Sequence, residues 1–455
     1  MILWEVEKIL FKDGVKNQVY LETDSSGKII NINFEKADKA YSEIKIIKGL
    51  VLPGFQNAHS HSFQYAMAGM SENLQEGHED DDFWSWRNHM YQLALKVNPD
   101  QLESIAKMLY SEMLRLGYTQ VAEFHYLHHD ESGKAYSQKS ELSERLMRAA
   151  QEVGIRLCLL PIFYQKGGFG VNPLEQQKRF ITATTDDYFK FLEEIQNKAK
   201  SYDLCNVGCG VHSLRAAGQN EVREIIEQRS GPFHIHIAEQ IKEVEECLSH
   251  WGKRPVQWLC DKTTLDENVF LVHATHLDQS EIKELAKTKA QIVVCPTTEG
   301  NLGDGIIPLV EFEKLGGAYS IGSDSHICLS PQEEIKLLDY AQRYRLRKRN
   351  PLIQKAGQDS AQYLLTKTWE SGRKSCGQGA DYDFFTVGQD FDAVIIDTEH
   401  PSLLGKKDQD LCASFIYAAD TNAIKDTIVR GRKYSNLQRD QIKKDYKNSL
   451  NSLFK

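Results

Sequence analysis

Residues 49–61 read GLVLPGFQNAHSH, an apolar run that ends in two histidines separated by one serine. A strand buried on both faces of a parallel sheet gives a near-continuous apolar run of this kind. Polar residues just beyond its carboxyl end stand where a barrel of such strands builds its site. The same grammar recurs along the chain in TQVAEFHYL from Thr119, IRLCLLPIFY from Ile155, NVGCGVHSL from Asn206 and PFHIHIAE from Pro232. It continues in NVFLVHATH from Asn268, AQIVVCPTTE from Ala290 and AYSIGSDSH from Ala318. Helical periods fill the intervals, as in NPDQLESIAKMLYSEMLRLG from Asn98 and DQSEIKELAKTKA from Asp278, each opening on an Asn or Asp suited to cap a helix. Alternating strands and helices predict an α/β fold, a (β/α)8 TIM-like barrel over residues 53–384.

Outside that span, residues 1–52 and the segment around FDAVIIDTEH from Phe391 alternate as strands do, without a long helical period. They predict a small β-sandwich domain built from residues 1–52 and 385–435. RDQIKKDYKNSLNSLFK from Arg439 predicts an amphipathic helix within 436–455, and SGRKSCGQGADYD from Ser371 reads as a loop. The 455 residues carry 55 Lys+Arg against 64 Asp+Glu, a net charge of -9, so the composition offers no basic surface for nucleic acid. The opening MILWEVEKILFKDGVK alternates apolar and charged residues, and no apolar run approaches the ~20 residues of a membrane helix. A cytoplasmic protein with no membrane partner is the expectation. Nine cysteines without a C-x-x-C pair read as free thiols buried in apolar segments.

The polar residues that close the strands carry the chemistry. His59 and His61 end the first, His236 and Glu239 the fifth, His273 and His276 the sixth, and Asp324 the eighth. Neutral imidazoles with a carboxylate are the donors Zn²⁺ prefers, and a catalytic site keeps a position for water. One strand-end histidine is more commonly a hydrogen-bonded core or loop residue; several on separate strands converging on one rim with an aspartate point to a metal. Glu239 and Asp324 also fit a plainer role as helix caps.

The pattern resembles the amidohydrolase superfamily, whose members carry H-x-H after strand one, a histidine after strands five and six, and an aspartate after strand eight. H-I-A-E from His236 to Glu239 is similar to the aminohydrolase branch, in which the glutamate shuttles protons. The fourth strand ends in His212 rather than in the lysine of binuclear members, so one metal ion is implied. Longer strings narrow the resemblance to the formimidoylglutamate deiminases: NAHSHSFQYAMAGMSE from Asn57, FWSWRNHMY from Phe83, AEFHYLHHD from Ala122, HSLRA from His212, HIHIAEQ from His234 and TEGNLGDGIIP from Thr298. Departures from that pattern are Tyr65 in place of an arginine, Pro296 and Thr297 in place of a Leu-Ser pair, and Gly300 in place of an alanine.

The resemblance implies one Zn²⁺ per subunit, held by His59, His61, His236 and Asp324, with Glu239, His273 and Asp324 catalytic. It implies a homodimer that converts N-formimidoyl-L-glutamate to N-formyl-L-glutamate and ammonia in histidine degradation. Gln64, His212 and Arg215 would hold the α-carboxylate of this small dicarboxylate, and Arg87 and Tyr126 its side-chain carboxylate. Arginine suits that task because its planar fork binds a carboxylate through two hydrogen bonds. Arg87 is placed in a loop after the first strand. His276, His234 and His326 are read as neighbours of the acting groups, with His234 a candidate to orient His236. Two other readings stand beside this one. An aminohydrolase of a purine, pterin or triazine ring would offer stacking aromatics and amide groups in place of two arginines. A non-catalytic barrel scaffold would have lost metal residues, and this sequence retains them.

Overall fold

The computed structural model describes residues 1–72, 83–435 and 439–455. Four strands open the chain: β1 (Ile2–Phe11), β2 (Gly14–Thr23), β3 (Ile29–Asn33) and β4 (Glu43–Pro53). The barrel strands follow as β5 (Phe55–Ser60), β6 (Tyr118–His125), β7 (Arg156–Phe163), a short β8 (Cys205–Val207), β9 (Cys209–Ser213) and β10 (Phe233–Ile237). They continue as β11 (Val269–His273), β12 (Gln291–Val294) and β13 (Tyr319–Ile321). Three strands, β14 (Ala393–Ile396), β15 (Ile424–Val429) and β16 (Arg432–Lys433), return after the barrel.

Two sheets result. The small one runs β16-β15-β14-β4-β1-β2-β3, so both ends of the chain pair in one continuous seven-stranded mixed sheet. Its hairpin β1-β2 turns at Lys12-Asp13, with Phe11 opposite Gly14. The other runs β13-β12-β11-β10-β9-β7-β6-β5 with every pairing parallel, and β8 pairs with β7 beside it. The barrel closes where β5 meets the end of β13 through a parallel bridge between Ser60 and Asp324. Gly322 makes that seam possible, because a Cβ there would stand 2.6 Å from the Cβ of His59. The barrel strands other than β8 are buried along nearly their whole length, as their apolar runs require.

Helices cover the outside. Asn98 caps the helix Pro99–Arg115 and Asp278 caps Gln279–Thr288, both in reciprocal capping boxes that satisfy exposed backbone N–H groups. The segment from Ser371 departs from the sequence reading. Ser371–Ser375 are the last turn of the helix Ser360–Ser375, and the loop begins beyond them. Gly372 does not break this helix; it lets the helix approach β5, where a Cβ would lie 2.6 Å from that of Gln56. Arg439–Leu453 is helical, and its Tyr446 ring stacks on Tyr65 at 5.6 Å and 20°. All nine cysteines are free, six of them buried. No helix among the described residues is long and apolar enough to cross a membrane.

Candidate active site

The residues at the carboxyl ends of the barrel strands converge on one mouth. The register of β5 against β6 slips between Asn57 and Ser60, and that of β10 against β9 slips between Ile235 and His236. Both irregularities adjoin the histidines in question, and a bulge is a way of re-aiming a side chain. The Nε2 atoms of His59, His61 and His236 lie 3.0, 3.0 and 3.3 Å from one another. Asp324 Oδ1 lies 3.2 Å from Nε2 of both His59 and His61.

Hydrogen bonds fix how these rings present themselves. His61 Nδ1 pairs with the Phe124 carbonyl and His236 Nδ1 with the His212 carbonyl, each at 2.9 Å. A carbonyl only accepts, so Nδ1 carries the proton and Nε2 turns its lone pair inward. Burial, followed by the neighbouring His61, pushes His59 down to about 3, and burial also takes His236 well below its ordinary value. Neutral imidazoles facing each other and a carboxylate at such separations repel unless a cation lies among them. Donors about 2.0–2.1 Å from one tetrahedral ion stand about 3.3 Å apart, so the donor set fits Zn²⁺ in both chemistry and spacing.

Beside this cluster stand the groups that could move protons. His273 Nε2 is 3.5 Å from Glu239 Oε1 and 3.8 Å from Asp324 Oδ2. Burial raises Glu239 to about 7 against the opposing pull of His273 and Arg215. Burial would lower His273, but the carboxylates of Glu239, Asp324 and Glu299 outweigh it and lift the imidazole to about 10. Asp304, another buried acid, lies with Glu239 and His273 in a second cluster and accepts a hydrogen bond from Gln240. Among the described residues, ten without glycine's freedom have positive φ, and Ala238, His273, Ala274, Asp324 and His326 of these lie on this rim. Strain collected in this way is a mark of functional sites.

A cavity opens over the cluster. Gln64, Arg87, Tyr126, His212 and Arg215 all line it, so the structure brings every proposed substrate contact to one place. Gln64 Nε2 donates to Tyr126 Oη at 2.9 Å. Arg215 lies 4.0 Å from Glu239 and 3.9 Å from Glu243. Arg87 lies on the helix Phe83–Ala94, not in the loop expected, and its guanidinium is 5.4 Å from the Tyr91 ring centre. Helical spacing is the reason: Trp86, Arg87, Met90 and Tyr91 fall on one face and line the cavity together.

One neighbour, His234, reads differently from the expectation, and the others take places beside the acting groups. His234 Nε2 bonds the Ser375 carbonyl at 2.8 Å, so the carbonyl of His212, and not His234, orients His236. His276 is half-buried outside the donor cluster. His326 lies across the closure seam, 2.9 Å from Ser323 Oγ and 3.4 Å from Ser60 Oγ. Tyr65 packs against the C-terminal helix and is absent from the cavity lining.

The sequence reading missed Tyr91, Tyr164 and Glu123. Tyr164 closes IRLCLLPIFY by the same strand-end rule that located the histidines, and Tyr91 follows Arg87 by one helical turn. Glu123 gave no such signal. It is a buried carboxylate that accepts from Ser60 Oγ at 2.7 Å and from the Ser62 amide at 2.6 Å, and thereby pins the H-x-H turn.

Comparison with known proteins agrees with this geometry. The formimidoylglutamate deiminase of Pseudomonas aeruginosa is 38% identical over 429 residues, covering 94% of this chain and 93% of that protein. The crystal structure of an amidohydrolase from Brucella melitensis superposes with a TM-score of 0.91 at 34% identity, covering 100% of both chains. An adenosine deaminase from Xanthomonas campestris with bound zinc shares the fold at a TM-score of 0.81 and 18% identity, covering 99% of this chain and 98% of that one. Residues 50–433, which hold the whole barrel and its rim, match the amidohydrolase family, and the chain belongs to that family.

Proposed function

We propose that this protein hydrolyses N-formimidoyl-L-glutamate to N-formyl-L-glutamate and ammonia, with one zinc ion per subunit, as a cytoplasmic step of histidine degradation. A homodimeric state rests on the family resemblance alone. The observation that carries the reading is the joining of Arg87 and Arg215 to the His₃Asp cluster in one cavity, because two cationic forks suit a dicarboxylate and have no counterpart in the needs of a neutral ring. The likeness to a deiminase over nearly the whole chain supports it.

His59, His61, His236 and Asp324 would hold the metal. Zinc supplies a Lewis acid and makes water a competent nucleophile near neutral pH. The carbon under attack lies between two nitrogens and is electrophilic while the formimidoyl group is protonated. Asp324, with His273 beside it, takes the proton of the attacking water as the C–O bond forms. Glu239 then gives its proton to the terminal nitrogen, the C–N bond breaks and ammonia leaves. The remaining O–H proton returns to Glu239 as the formyl carbonyl forms. Gln64, His212 and Arg215 hold the α-carboxylate, and Arg87 with Tyr126 the distal one.

The test is to load the protein with zinc and follow ammonia release and product mass with N-formimidoyl-L-glutamate, guanine and adenosine. Ammonia with N-formylglutamate is the expected result. Turnover of a ring substrate alone would remove Arg87 and Arg215 from their roles.

A further inference from the structure

The end of β12 supplies none of the residues given a role above, yet the short helix that follows it, Pro296–Asn301, carries a buried carboxylate towards the reaction centre. Glu299 Oε1 stands 3.2 Å from His273 Nδ1. The same oxygen accepts the Cys295 amide at 2.9 Å, and the Glu299 amide returns a bond of 2.8 Å to the Cys295 carbonyl. The residue is thus held to Cys295 by its backbone amide and by one carboxylate oxygen. His273 meanwhile holds a left-handed backbone, with φ of +68° followed by +50° at Ala274. Such a conformation is unfavourable for a residue with a side chain and persists only where surrounding contacts impose it. The ring faces two acids through its other nitrogen, with Glu239 at 3.5 Å and Asp324 at 3.8 Å from Nε2. An imidazole with no anchor at Nδ1 would be free to rotate about χ2 and offer either nitrogen to them.

We infer that Glu299 is a positioning residue for the deimination: by accepting the Nδ1 proton of His273 it holds the ring so that Nε2 alone meets Asp324 and Glu239. It touches no substrate and is absent from the cavity lining. Its effect therefore belongs to kcat and not to KM, and it passes entirely through His273. The inference rests on the role given to His273 in the proposed reaction. Its plain rival is that Glu299 merely caps the short helix through the Cys295 amide.

The two are separated by a double-mutant cycle on the zinc-loaded protein. Glu299→Leu removes the acceptor, and Glu299→Asp withdraws it by one methylene and serves if the leucine variant does not fold. Each is made in the unmodified chain and in a His273→Ala background. The expectation is a kcat loss of about 10–100-fold in the unmodified chain, the usual effect of removing an orienting partner, with KM and zinc content held. In the His273→Ala background neither change costs anything further. An equal loss in both backgrounds, or no loss in either, overturns the inference. A second readout needs no substrate: the far-downfield ring N–H proton of His273 is present in the unmodified protein and absent from Glu299→Leu. If the unmodified protein releases no ammonia from N-formimidoyl-L-glutamate, the substrate reading fails, while the proton signal still decides the contact.

Discussion

Glu239 is held between opposing demands. Burial favours its neutral form, while Arg215 at 4.0 Å and His273 at 3.5 Å favour the carboxylate, and the balance leaves it at about 7. A general acid must carry its proton to act, so kcat is expected to fall as pH rises through about 7, roughly tenfold per unit beyond it. The alkaline limb belongs to the Glu239–His273 pair as a whole, since the two groups interact too closely to titrate separately. Glu239→Gln is expected to keep its zinc, read by elemental analysis, and to lose about 10²–10⁴-fold in kcat. Retention of full activity would remove Glu239 from the mechanism. Arg215→Met is expected to raise KM for the dicarboxylate about 10–100-fold with a much smaller change in kcat, since it takes away binding common to ground and transition states. An unchanged KM would place Arg215 with Glu243 in structural support.

Single elements decide how those residues are presented. The sequence marked Arg87 as a candidate, but the helix Phe83–Ala94 is what turns it, with Met90 and Tyr91, towards the cavity. The C-terminal helix has a role that its amphipathic pattern alone did not disclose. Tyr446 stacks on Tyr65 and donates to the Tyr65 carbonyl at 3.3 Å, directly after the turn that carries His61. Tyr446→Ala is expected to lower stability by about 0.5–1.5 kcal/mol from the lost ring pair, beyond the loss of buried area. Thermal unfolding measures it, and an unchanged Tm would mean that the helix does not support the loop. Tyr65, conspicuous in the sequence as a departure from the deiminase pattern, is accounted for by this contact and not by the substrate.

At the scale of the whole molecule the site is a product of barrel closure. The Ser323 and Asp324 amides both donate to the His59 carbonyl, at 3.1 and 3.0 Å, and the His61 amide donates to the Asp324 carbonyl at 3.3 Å. The seam that joins the last strand to the first is therefore also the frame of the donor cluster. Removal of zinc by a chelator is expected to lower Tm, and restored zinc to recover it, because a ligand at a thousand times its Kd stabilises the folded state by about 4 kcal/mol. A Tm indifferent to the metal would show that the seam holds without it. The sequence by itself determined the alternation of strands and helices, the strand ends on which His59, His61, His236, Glu239, His273 and Asp324 fall, and the family whose chemistry they resemble. These follow from periodicity and burial, which depend on near neighbours along the chain and leave a mark in the order of residue types. Only the tertiary structure decided which nitrogen each histidine turns inward, that His212 and not His234 orients His236, and that Glu123 and Glu299 stand behind the turn of His61 and the ring of His273. Those facts come from bulges, left-handed residues and hydrogen bonds between strands distant in sequence, which exist only once the sheet has closed on itself.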